Sequence, residues 1–273
     1  MTLPKYLYHY TSQKGLLGIL ESKKLWMTNI FYLNDSSEFV YTINLVKDEL
    51  KIRIEQLEKQ GLPLLPREGN LLDKCNRYKR TEGVLDIFLE EMATESYVFS
   101  LSTEGDDLNQ WRGYCPKEGG FSIQFDYEIM LSIIDNMKDR NNIDIKKCEY
   151  GEKRKLELVK SLLDILCDDK RFFYKELVDV SSYIKHESFE KEQEYRIIYH
   201  NNPKIIEYRE GNYSIIPYTV ISPLDNYDKL PISKIFVGPT PHPQLSMMSV
   251  DSLLKSNGYE NVKVQESIIP YRS

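Results

Sequence analysis

Apolar residues recur along this chain with two periods. Period two marks short strands at Leu7–Thr11, Tyr97–Leu101, Phe121–Phe125, Ile145–Tyr150 and Glu192–Tyr199. Another covers Lys24–Asn29, with Leu25 and Met27 on one face and Trp26 and Thr28 on the other. Lys204–Tyr208 and Tyr213–Val220 are predicted to form a hairpin about Gly211-Asn212. Ile232–Val237 is an apolar strand stopped by Gly238-Pro239, and Val262–Ser267 is a last strand. A spacing of three and four marks helices instead. Ser12 caps one over Gln13–Ser22, and Asp35 with Glu38 has capping-box spacing before a longer one. The longer helix lines up Phe39, Ile43, Val46, Leu50, Ile54 and Leu57 on one face and stops near Gly61-Leu62-Pro63.

A charged helical region follows over about Leu71–Met92, packing through Leu85, Phe88, Leu89 and Met92. Asp126 caps a helix to Ile134. Glu152–Leu166 turns Leu156, Val159, Leu162, Leu163 and Leu166 inward. Arg171–Val180 is helical and charged, and Gln244–Asn257 ends at Gly258. Helices and strands do not alternate regularly. The fold class is therefore α+β, a mixed and mainly antiparallel sheet core with a helical layer. Residues 1–273 read as one domain with a helical insertion at about 36–95.

Between the strands Tyr97–Leu101 and Phe121–Phe125 lies a polar loop holding Gln110, Trp111, Arg112, Gly113 and Tyr114, then Gly119-Gly120. A loop held by strands at both ends is a common place for a site. Trp111 there is either an anchor closing the connection or a stacking surface, with Arg112 beside it able to bind an anion.

The net charge of −6 argues against a broad basic surface for nucleic acid. Twenty tyrosines suit half-buried sheets and aromatic pockets. The four cysteines form no CxxC pair and the four histidines do not cluster, so neither a structural zinc site nor a disulfide framework is expected. The opening MTLPKYLYHYTS does not read as a signal peptide, and no apolar run reaches membrane-spanning length. The expectation is a reduced, cytoplasmic protein with no membrane partner.

Two short segments could carry chemistry. On a strand, Glu192, Glu194 and Arg196 share a face, which is either a solvated surface or the wall of a cleft. In a cleft, a carboxylate could hold a sugar hydroxyl and stabilise developing positive charge. Tyr8, His9, Tyr10 and Thr11 put an imidazole and a hydroxyl on one face and two phenols on the other. His9 is either a satisfied structural residue or part of a surface for a ribose and a planar ring. No P-loop, dinucleotide glycine fingerprint or GxSxG elbow is present, and Cys115 has no His-Asp arrangement in sequence. Residues 238–243, GPTPHP, read as a rigid turn. Asp106-Asp107 and Asp168-Asp169 read as helix caps or solvated loops.

Taken in order, YHYTSQKGLLGIL, LWMTNIFYLNDSSEF, FSLS, QWRGY, GGFSIQFD and FEKEQEYRII resemble the bacterial domain-of-unknown-function family 2971, over about Leu7 to Phe236. More distantly, the strand histidine, the Ser-x-Ser strand and the late Glu-x-Glu resemble ADP-ribosyltransferase-fold enzymes, among them DNA-modifying toxins. The pairing of a histidine-type start with a Ser-x-Ser strand mixes two branches of that superfamily. This second resemblance implies a split sheet and NAD as substrate, with an unknown protein or nucleic-acid acceptor, in a toxin or anti-phage defence setting. It implies Glu194 as the catalytic glutamate with Glu192 two residues before it. His9 and Thr11 would hold the ribose or adenine side, flanked by Tyr8 and Tyr10. Ser100 and Ser102 would be the serine strand, Trp111 or Tyr114 would stack on nicotinamide, and Arg112 or Arg196 would bind pyrophosphate. Two alternatives remain open: a non-enzymatic sensor or partner-binding module, and a nuclease using Glu192 and Glu194 to bind a metal.

Overall fold

A computed structural model describes residues 3–33, 37–63, 66–78, 96–115, 119–168, 170–200, 203–211, 214–222 and 228–270. Its strands are β1 (Tyr6–Thr11), β2 (Leu25–Asn29), β3 (Tyr97–Ser102), β4 (Phe121–Asp126), β5 (Ile143–Lys147), β6 (Glu194–Tyr199), β7 (Glu207–Glu210), β8 (Ile215–Ile221), β9 (Ile232–Val237) and β10 (Lys263–Glu266). The helices are α1 (Gln13–Ser22), α2 (Ser37–Lys59), α3 (Pro66–Tyr78), α4 (Leu108–Tyr114), α5 (Tyr127–Asp135), α6 (Glu152–Asp168), α7 (Lys170–Ser181) and α8 (Pro243–Ser256). The α+β class holds, with a single sheet in which every pairing is antiparallel except β9 with β10.

The sheet is organised by β3. One of its edges pairs along its whole length with β6, from Tyr97↔Tyr199 to Ser102↔Glu194, and β6 in turn pairs with β5. The other edge is shared. β1 meets it only at Tyr8↔Ser102, while β2 meets the opposite end at Thr28↔Val98 and Asn29↔Tyr97. From there β1 continues into β4, β9 and β10, and β2 into β8 and β7. The two strands thus part company along Phe99–Leu101 and leave a gap in the sheet.

Two apolar cores flank this frame. One packs Leu16, Ile19 and Leu20 of α1, Met130 and Ile134 of α5 and Leu254 of α8 against Phe99, Ile123, Phe125, Ile197 and Ile235 of the strands. The other is helical. Phe39, Ile43, Val46 and Leu50 of α2 meet Val159, Leu162 and Leu163 of α6 and Phe173, Leu177 and Val178 of α7. The face predicted for α2 is the buried one. Leu156 departs from expectation, lying outward at 37% exposure.

Element limits shift in places. β6 begins at Glu194, because Gln193 adopts a left-handed conformation (φ 45°) that ends a 3-10 turn over Glu187–Glu192. Glu192 therefore precedes the strand it was assigned to. The predicted loop after β3 contains α4, capped by Asp107, whose carboxylate accepts from the N–H groups of Asn109 and Gln110. Seven residues including Gly113 give too little periodicity to be seen. Asp35, Leu85, Phe88, Leu89 and Met92 lie outside the described residues, as do the side chains of Glu38 and Leu166. No described helix is long and apolar enough to cross a membrane.

The helical layer makes a sharp prediction. Leu50 is fully buried and Ile52, on the same helix, is 47% exposed. Leu50→Ala should cost about 2–5 kcal/mol and Ile52→Ala under about 0.5 kcal/mol, measured by urea unfolding.

Candidate functional site

The gap between β1 and β2 opens into a cleft of about 810 Å³, a size that suits a nucleotide-scale ligand. β1 contributes Tyr8, His9, Tyr10 and Thr11 to it, and β3 contributes Ser100 and Ser102. Glu192, Glu194, Arg196 and Lys185 line it from the β6 side, and Tyr114 from the end of α4. Trp26, Thr28 and Arg209 line it from the β2 side. Most of the candidates named from sequence therefore meet at one cavity, although they span positions 8 to 196.

At its β6 side four charges are interlocked. Glu194 is 4% exposed. One of its oxygens accepts from Arg196 Nε at 2.7 Å, and the other from Lys185 Nζ at 2.8 Å and Arg196 Nη2 at 3.1 Å. Lys185 Nζ also reaches Glu192 at 2.7 Å, and Arg196 Nη1 donates to the carbonyl of Ser182 at 2.8 Å. Burial alone would raise the Glu194 pKa. The Arg196 guanidinium and Lys185 ammonium outweigh it and hold the carboxyl well below the usual carboxylate range. Glu192 is the more open of the two carboxylates, with side-chain exposure of 17% against 5%. Tyr114 Oη donates to it at 3.2 Å, and Ser102 Oγ donates to its backbone carbonyl at 2.9 Å. Ser102 thus fixes the turn that aims Glu192. Lys185 Nζ fills the space between the carboxylates, where a bridging cation would have to sit.

At the gap itself, the His9 ring stacks on Phe99 with centroids 4.0 Å apart, and its Nδ1 lies 2.8 Å from the Ser100 carbonyl. A carbonyl only accepts, so Nδ1 carries the proton and Nε2 keeps a lone pair. Burial, reinforced by the positive charge of Arg209 and only partly opposed by the Ser100 hydrogen bond, pulls the His9 pKa down to about 4. The imidazole is neutral at physiological pH.

Trp111 is a different matter. It is 3% exposed and packs edge-on against Tyr10 at 4.7 Å, with Phe236 in the same cluster. Its Nε1 donates to Asp106 at 2.7 Å, and Asp106 also accepts from the backbone of Ile268 at 2.8 Å. A Cβ on Gly238 would come within 2.8 Å of the indole, so that glycine makes room for it. Trp111 supports the cleft from behind and does not line it; the anchor alternative fits. Arg112 is exposed and likewise does not line the cleft. Arg196 lines the cleft but is engaged by Glu194 and Ser182. Cys115 lines it too, but burial pushes its thiol up to about 12, far from a reactive thiolate.

Two contributing residues escaped sequence reasoning. Lys185 sits between a helix and a turn, and its only signal is charge balance: a buried Glu194 with a half-buried Glu192 beside a single Arg196 calls for a second cation. Arg209 lies on an edge strand among exposed residues and has no local signature.

Residues 110–197 match the model of a family described as a protein of unknown function, DUF2971. The matched segment runs from α4 to β6 and takes in QWRGY, GGFSIQFD and the EQEYRI run, so the family resemblance seen in those motifs stands there. No curated protein and no solved structure matches the chain.

The charge cluster and His9 each yield a prediction. Lys185→Met should destabilise the fold by about 3–5 kcal/mol, because it strips a cation from two carboxylates. Added to Glu194→Gln, it should cost clearly less than the two single losses summed. The check is a double-mutant cycle in urea. For His9, whose folded pKa lies below its unfolded value, the unfolded chain binds the extra proton between about pH 6.5 and pH 4. Its stability contribution is complete above pH 6.5 and is lost as pH falls towards 4, by up to about 3 kcal/mol. His9→Gln, which can still donate to Ser100, should flatten that slope in pH-dependent unfolding.

Proposed function

We propose that the cleft binds NAD and that the protein is an ADP-ribosyltransferase-like enzyme. It would break the bond between nicotinamide and ribose C1′ and pass the ADP-ribosyl group to an acceptor nucleophile on protein or nucleic acid. The observation that carries this proposal is convergence. His9 from β1, Ser100 and Ser102 from β3 and Glu194 from β6 share one nucleotide-sized cavity, at the point where two strands leave a common edge.

In this chemistry nicotinamide leaves with the bonding electrons and positive charge develops on the ribose. Glu194, kept ionised by Arg196 and Lys185, is the carboxylate that stabilises it, and Glu192 with Tyr114 offers hydrogen bonds to ribose hydroxyls. His9, neutral and donating through Nδ1 to Ser100, offers Nε2 as an acceptor. Arg196 serves as the counter-ion of Glu194 and is not the pyrophosphate ligand. A nuclease bridging a metal between Glu192 and Glu194 is disfavoured, since Lys185 Nζ occupies that position at 2.7 and 2.8 Å.

One observation favours a second possibility, a nucleotide-binding module without turnover: both oxygens of Glu194 already have partners. Nicotinamide release from NAD, read by chromatography beside NAD-dependent thermal shift, separates the two. The enzyme predicts release by the native protein and a loss of about a hundredfold or more in Glu192→Gln and Glu194→Gln. Glu192→Gln should keep the NAD-dependent shift. A shift without release leaves the module, and neither signal rejects the NAD site.

A further inference from the structure

The cations of the charge cluster are matched by carboxylates, but Arg209 at the other side of the cleft is not. Its guanidinium reaches from β7 across β8 to β2, where Nη2 donates to Thr28 Oγ1 at 2.6 Å, and it lies 5.6 Å from the centroid of the Tyr218 ring. The acids on its own strand are engaged elsewhere. Glu207 accepts from Tyr218 Oη at 2.7 Å, and Glu210 lies at the surface, 4.0 Å from Lys14. Among the described residues no carboxylate stands within ion-pair distance of Arg209. A guanidinium partly withdrawn from water without a counter-ion is unfavourable unless an anion joins it. Because Arg209 donates to the Thr28 oxygen, the Thr28 hydroxyl proton remains to donate to a ligand. Trp26, whose ring centroid is 5.4 Å from that of Tyr218, adds an aromatic wall beside this spot.

We propose that Arg209 and Thr28 form the phosphate subsite of the cleft, so that its ligand is a phosphate-bearing nucleotide and not a neutral nucleoside. This rests on the cleft being a nucleotide site, as above, but not on turnover. Arg209 takes the part that sequence reasoning gave to Arg112 or Arg196.

The test is calorimetric titration with ADP-ribose, adenosine and inorganic pyrophosphate. The native protein should bind ADP-ribose roughly 10- to 100-fold more tightly than adenosine, as expected for a charge-assisted contact. Arg209→Gln should erase that preference and leave adenosine binding unchanged. Arg209→Lys should restore part of it, and Thr28→Val, nearly isosteric, should weaken ADP-ribose severalfold. Pyrophosphate should compete with ADP-ribose for the native protein and cease to compete in Arg209→Gln; competition undiminished in Arg209→Gln overturns the proposal. Retention of the full ADP-ribose preference by Arg209→Gln overturns it, as does equal or absent binding of ADP-ribose and adenosine by the native protein. Nicotinamide release with an unchanged KM for NAD in Arg209→Gln would sink the subsite and spare the enzyme. A phosphate preference without any release would do the reverse.

Discussion

A strand edge carries a row of N–H and C=O groups that need partners, and β3 has one such edge for two strands. β1 takes the end at Ser102 and β2 takes the end at Val98. Neither continues along the middle. The Ser100 carbonyl there is met by a side chain instead, the imidazole of His9. The interruption that leaves the sheet incomplete is therefore the same feature that opens the cleft, and His9 belongs to the architecture and the candidate site together. Its low pKa follows from that double position, because a ring wedged into the sheet and facing Arg209 gains little from being charged.

The second constraint is electrostatic. Glu194 and Arg196 of β6 meet Ser182 and Lys185, which follow α7. Burying four charges rarely stabilises a fold relative to apolar packing, since desolvation offsets most of the attraction. Such a cluster is better understood as a device that holds a carboxylate ionised and fixed at a cleft wall. The rest of the chain serves that placement. The Ser182 carbonyl after α7 takes up Arg196, Ser102 sets the turn bearing Glu192, and Trp111 backs Tyr10 from behind.

Much of this was legible in the sequence. The apolar face of α2, the strands at Leu7–Thr11 and Phe121–Phe125, the Ser12 cap and the hairpin of β7 with β8 all follow from local periodicity and turn chemistry. His9, Glu192 and Glu194 stood out by residue type and strand face, whereas Ser102 entered only through what the ADP-ribosyltransferase resemblance implies. What local patterns could not convey was pairing across the chain. Trp111 looks like a site residue in sequence because a tryptophan stands in a polar segment; its burial depends on Gly238, more than a hundred positions away. Lys185 and Arg209 become meaningful only once the fold shows which carboxylates they meet, or do not meet. Arg112 attracted attention by its neighbour Trp111, and helix α4 turns it outward.

The most direct measurement is a crystal structure of the protein with ADP-ribose. A ribose seated between His9 and the Glu192–Glu194 pair, with phosphate oxygens on Arg209, is the predicted result. Clear density for the ligand in another groove, such as the apolar one lined by Leu16 and Leu17 of α1 and Leu245, Val250 and Leu253 of α8, with the cleft between β1 and β2 left to solvent, would contradict the account.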